Sequence, residues 1–171
     1  MSLLARLFSS QPDPREALRP LWHRVVELSR EPALYRDDGV ADSVAGRFDM
    51  IAVVLGLVML RLERDDLAQD NVLLTELFVA DMDGQLRESG VGDLVVGKHV
   101  GKLVAALGGR LGAFRKALAG DGEAAFEAAL ERNVTMAEGR GTQDLARRLR
   151  AFAGKLGTLG SDEVLAARIA L

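Results

Sequence analysis

Apolar side chains recur along this chain at the three- and four-residue steps of a helix face, and no segment shows the strict alternation of a half-buried strand. The clearest case runs from Val44 to Arg64. Val44, Phe48, Ile51, Leu55, Val58 and Leu62 line one face, while Met50, Val54 and Leu57 form a second. A helix apolar on two sides has to be covered on two sides, so this segment is predicted as the central helix of a bundle. Before it, residues 13 to 31 show helical period, and Pro20 is expected to start or kink that helix. Residues 31 to 43 carry Pro32 and Gly39 and read as a loop, with Asp42 or Ser43 placed to cap the central helix.

After it, Leu67 to Ser89 repeats the pattern with its carboxylates outward, and Gly90 and Gly92 supply a C-terminal stop. Asp93 to Ala119 has a core stripe of Val96, Val100, Leu103, Val104, Leu107, Leu111, Phe114 and Leu118, with Lys98, Lys102 and Lys116 roughly opposite. Shorter helices are predicted over Glu123 to Asn133 and Asp162 to Leu171, and a longer one from a Thr142 cap to Leu156. The sum is an all-α chain, an irregular bundle of six to seven helices in one domain over residues 13–171, behind a flexible N-terminus of residues 1–12.

Four glycines, Gly97, Gly101, Gly108 and Gly112, share a strip of the helix from Asp93 to Ala119. Each interior glycine costs about 1 kcal/mol of helix propensity. Close approach of another helix would offset that cost, and a neighbour from the same chain is expected before an external partner.

Composition narrows the function classes. The 171 residues include no cysteine, which removes disulfides, thiol nucleophiles and thiolate metal sites. The net charge of −3 excludes nucleic-acid binding by bulk electrostatics, and no DNA partner is expected. Met50 to Leu60, the longest uncharged apolar run at 11 residues, is too short to span a bilayer. Charge is nevertheless segregated: residues 63 to 88 carry eight acids against two arginines, and residues 94 to 120 carry five bases and no acid. Such a reversal orients a charged partner more than it stabilises a fold.

Candidate chemistry fails at each site. Gly92 to Lys98 has the spacing of a phosphate loop, but His99 stands where a magnesium-binding hydroxyl belongs and no strand precedes it. Asp81-Met82-Asp83-Gly84 has its glycine too early for a calcium loop. The two histidines, His23 and His99, belong to no ligand cluster, and Glu76, Asp81 and Asp83 lack a nucleophile or oxyanion site. No enzyme, cofactor or metal is expected.

Gly46-Arg47-Phe48-Asp49, Asp81-Met82-Asp83, Leu86-Arg87-Glu88, Gly90-Val91-Gly92-Asp93-Leu94 and Val96-Gly97-Lys98 together resemble the ubiquinol-cytochrome c chaperone family, with Tyr35 and Gly109-Arg110 as further matching positions. The resemblance runs from about Trp22 to Asn133. It implies a non-catalytic assembly factor for the cytochrome bc1 complex that binds newly made cytochrome b or another subunit, with a small co-chaperone or the ribosome as possible partners and peripheral membrane contact. The location expected is the bacterial cytoplasm near the inner membrane, or the mitochondrial matrix in a eukaryote. On this reading Arg47 and Asp49 brace the corner of Gly90, Gly92, Asp93 and Gly97. Asp81 and Asp83 join the partner surface, and Lys98, Lys102 and Arg110 face the client or the membrane. The alternative is a membrane-surface or RNA-binding adaptor using the two basic helices, including Arg147, Arg148 and Arg150.

Overall fold

The two-sided apolar pattern of residues 44–64 becomes the axis of the molecule. The computed structural model describes residues 13–88, 93–120 and 123–171. The chain begins there with a 3-10 turn, Pro14–Leu18, followed by α1 (Arg19–Ser29), α2 (Pro32–Arg36), α3 (Val44–Glu63) and α4 (Ala68–Glu88). Next come α5 (Asp93–Leu118), α6 (Glu123–Glu131), α7 (Gln143–Thr158) and α8 (Ser161–Leu165). Six of these helices have nine residues or more, and the expected all-α bundle is what forms. Among the described residues there is no strand, only an isolated bridge between Val40 and Met136.

Every residue of α3 from Asp49 to Met59 is buried. Four helices achieve that cover, since α1, α4, α5 and α7 all pack on α3. Each large aliphatic side chain enclosed in this way contributes about 1.5–3 kcal/mol. Aromatic pairs tie the flanking helices together. Trp22 of α1 meets Phe78 of α4 edge-on at 6.1 Å, Phe48 lies 6.0 Å from Phe78, and Phe114 of α5 meets Phe126 of α6 at 5.8 Å.

Local chemistry sets the helix ends. Ser43 is extended and its hydroxyl accepts from the Gly46 amide at 3.1 Å, an N-cap that starts α3. Pro20 sits in the first turn of α1, where its missing N–H costs no helical bond. At the far end of α3, Arg61 is buried and donates to the carbonyls of Leu156 at 2.9 Å and Leu159 at 2.5 Å, and to Asp65 at 2.7 Å. It therefore supplies donors to two carbonyls at the C-terminal end of α7 while joining α7 to the axis.

Three expectations change, the first being that the helix predicted over Asp162 to Leu171 ends at Leu165, with Ala167 at positive φ. The loop over residues 31 to 43 contains α2, because Pro32 supplies the fixed φ of a first helical turn, and the Tyr35 hydroxyl then donates to Ser29 O at 2.7 Å. Among the described residues, no helix covers Gly101, Gly108 or Gly112 of α5. A Cβ built on Gly101, Gly108 or Gly112 would meet nothing within 4 Å, so open space lies over them. Close approach occurs instead at Gly46, where an added Cβ would stand 2.0 Å from the Ala41 carbonyl oxygen. Residues 1–12, Gly90 and Gly92 lie outside the described residues.

The two glycine environments predict opposite signs in urea denaturation. Gly46→Ala is expected to lower stability by about 2 kcal/mol through overpacking against backbone. Gly108→Ala is expected to raise it by up to about 1 kcal/mol, because an exposed helix position gains propensity and meets no obstacle. A loss of stability in Gly108→Ala would show that something in the chain covers that strip.

Candidate functional site

The orientation of α5 follows from one residue. Between Leu103 and Phe114 its sequence is apolar or glycine except for Arg110. That guanidinium turns inward: Arg110 Nη2 donates to Asp49 Oδ1 at 2.5 Å and to the Asn133 carbonyl at 3.2 Å, and the group lies 5.6 Å from the centre of the Phe48 ring. The pair is enclosed, with the two side chains only 12% and 10% exposed. The other Asp49 oxygen accepts from the Thr135 amide at 3.0 Å and the Thr135 hydroxyl at 2.7 Å. A buried carboxylate is tolerable when its lone pairs are filled in this way.

At about 100° per residue, a helix with Arg110 facing inward carries Gly101, Gly108 and Gly112 to the far side. The burial pattern agrees. Leu107, Leu111, Phe114 and Ala117 are buried beside Arg110, while Gly101, Ala105, Gly108 and Gly112 are exposed and Val104 is 42% exposed. Small residues stand opposite the core, with Lys102 exposed on the flank and Lys116 exposed on the outward side past Gly112; the Lys98 side chain lies outside the described residues. The result is an uncharged face over Gly101, Val104, Ala105, Gly108 and Gly112 with Lys116 exposed beyond its end. Small residues on such a face let another helix approach closely.

The predicted site residues are only partly brought together. Among the described residues Arg47 and Asp49 have different partners, and Gly90 and Gly92 of the corner assigned to them lie outside those residues. Arg47 Nε donates to Asp42 at 2.7 Å on the surface and holds that carboxyl below the ordinary range, whereas Asp49 reaches α5. Arg110, expected to face a client, is part of the buried pair, because it is the cation that can neutralise Asp49. Asp81 lines an open cavity between α1 and α4 with Arg15, Arg19, Trp22 and His23, and Asp83 is half-buried on α4. Asp93, Gly97 and Lys98 stand in the first turns of α5, and their side chains lie outside the description.

Sequence reasoning missed Thr135 and Asn133, which complete the Asp49 site, and the contact of Arg148 with the buried Asp38. A signal for the first was present in two isolated charges, Asp49 and Arg110, each set in an apolar segment. Arg148 is thereby held in the fold, whereas Arg147 stays exposed and pairs with Asp144 at 3.0 Å on the surface. Among the described residues, no group of three His, Cys, Asp or Glu could hold a metal ion, and no helix is long and apolar enough to cross a membrane.

The buried pair predicts a steep mutational cost. Asp49→Ala leaves Arg110 enclosed without its partner and is expected to lower stability by about 3–5 kcal/mol. Asp49→Leu combined with Arg110→Met should cost well under the sum of the two single changes, as a double-mutant cycle would measure. Arg47→Ala, removing an exposed pair, is expected to change stability by no more than about 0.5 kcal/mol.

Comparison with known proteins places this architecture. The crystal structure of the Cbp3 homolog from Brucella abortus superposes with a TM-score of 0.78 at 24% identity, covering 98% of this chain and 96% of that chain. That likeness shows a shared fold. No curated protein matches the chain. The family model described as ubiquinol-cytochrome C chaperone matches residues 36–171, beginning later than the resemblance traced above and continuing to the last residue. Spanning the buried Asp49–Arg110 pair and the outward face of α5 alike, the match shows that the chain belongs to the ubiquinol-cytochrome c chaperone family.

Proposed function

We propose that this chain is a non-enzymatic assembly chaperone for the cytochrome bc1 complex, that its client is newly made cytochrome b, and that the client docks on the outward face of α5. Family membership supports the chaperone role. The observation that carries the docking surface is the uncovered strip of Gly101, Ala105, Gly108 and Gly112 with the exposed Val104. A transmembrane helix waiting for assembly presents apolar surface with charges at its ends. Small residues admit such a helix at short range, where van der Waals contact and Cα–H contacts contribute most. Lys102 on one flank and Lys116 beyond the strip would meet acidic or phosphate groups bordering that helix. The protein would act in the bacterial cytoplasm, at the periphery of the inner membrane.

The test uses Gly108→Glu, which the open space over Gly108 allows without disturbing the core. In cells lacking the chain, the reduced-minus-oxidised b-type haem signal of the membranes is expected to fall and to return with the wild type. Gly108→Glu should accumulate as folded protein and restore little of the signal. Full restoration by Gly108→Glu would remove the α5 face from client binding, and an unchanged signal in the deletion strain would remove the assembly role itself.

A further inference from the structure

A second site lies where the C-terminal ends of α3 and α5 meet the middle of α7. It is an open cavity of about 620 Å³, within the size of ordinary small-ligand clefts. Its apolar lining comes from Leu57, Leu60, Leu118 and Ala153. Around this lining stand four arginines, Arg61, Arg64, Arg115 and Arg150, against one carboxylate, Glu63. Cations are favoured at helix C-termini, which accounts for Arg64 and Arg115 in part. Arg150, in the middle of α7, lies 5.9 Å from the centre of the Phe126 ring.

The donors differ in availability. Arg61 is occupied by Leu156 O, Leu159 O and Asp65 and serves as structure. Arg115 grips Glu63 with Nε and Nη2, which leaves its Nη1 donors open. Arg64 makes no side-chain hydrogen bond or ion pair among the described residues, and its Nη1 lies 3.2 Å from where a Cβ of Gly157 would stand, so it reaches across to α7. An exposed, unpaired guanidinium beside half-buried leucines is suited to an anion that carries its own apolar part. The carboxylate or phosphate head would take bidentate hydrogen bonds from Arg64 and Arg115, and the tail would cover Leu60, Leu118 and Ala153.

We infer that this cavity binds an amphiphilic anion, a single carboxylate or phosphate head with an acyl tail. The site is independent of the α5 face and of the client reading, since it uses none of the same residues. Calorimetric titration of the full chain with laurate below its micellar concentration tests it, with inorganic phosphate as the head alone. Laurate is expected to bind one saturable site, and phosphate far more weakly. Arg64→Gln should weaken laurate about tenfold, the scale of one charge-assisted hydrogen-bonding group. Gly154→Leu should weaken it as much or more: Gly154 lines the cavity, an added Cβ there meets nothing within 4 Å, and leucine suits the helix better. Unchanged melting temperatures keep both variants interpretable. The source of the ligand is read from vesicles. Co-sedimentation with phosphatidylglycerol vesicles, lost in Gly154→Leu and absent with phosphatidylcholine, identifies a bilayer lipid, whereas laurate binding without vesicle capture identifies a free acid. No saturable laurate binding, phosphate binding as tightly as laurate, or laurate binding untouched by both variants would overturn the inference.

Discussion

The contact between Asp49 and Arg110 governs what the rest of the structure can present. It joins the first half of α3, the middle of α5 and the segment after α6 through Thr135 and Asn133. Desolvating two charges is unfavourable, and attraction alone seldom recovers the loss. Here the carboxylate also collects two donors from Thr135, and the guanidinium lies over Phe48. Such a pair adds little net stability compared with apolar packing, yet any rotation of α5 that separated it would strand both charges. The pair therefore selects one rotation of a helix whose other residues are mostly small, and that rotation puts the glycines outside.

The Gly46-Arg47-Phe48-Asp49 stretch consequently reads as architecture. Gly46 lets Ala41 O approach, Arg47 holds Asp42, Phe48 packs on Phe78 and under Arg110, and Asp49 anchors α5. Four consecutive residues meet four different demands of one helix entry. A motif of this kind marks a family through its fold and says nothing about where a partner sits.

Much of the fold was legible because helix existence depends on local periodicity. The two-sided apolar pattern of α3, its Ser43 cap and the placement of Pro20 all rest on neighbours in sequence. Pairing across the bundle was harder to read. Arg47 and Asp49 are two residues apart and point to different partners, a divergence that sequence proximity does not reveal. Arg110 looked like a surface base because its segment is basic overall, whereas the apolar residues on both sides of it placed it inward. The short α2 was missed because five residues give no periodicity to detect.

The glycines show most directly why spacing alone cannot assign a role. Gly39 has φ +82°, a conformation that favours glycine, and Gly46 sits against backbone; both are explained inside the chain. Gly101, Gly108 and Gly112 share the helical spacing of a packing strip, yet their Cβ positions open on empty space. Within the described residues they lower helix propensity and receive no contact in return. On the proposed reading, a close-approaching client helix is the partner for which the missing Cβ makes the greatest difference.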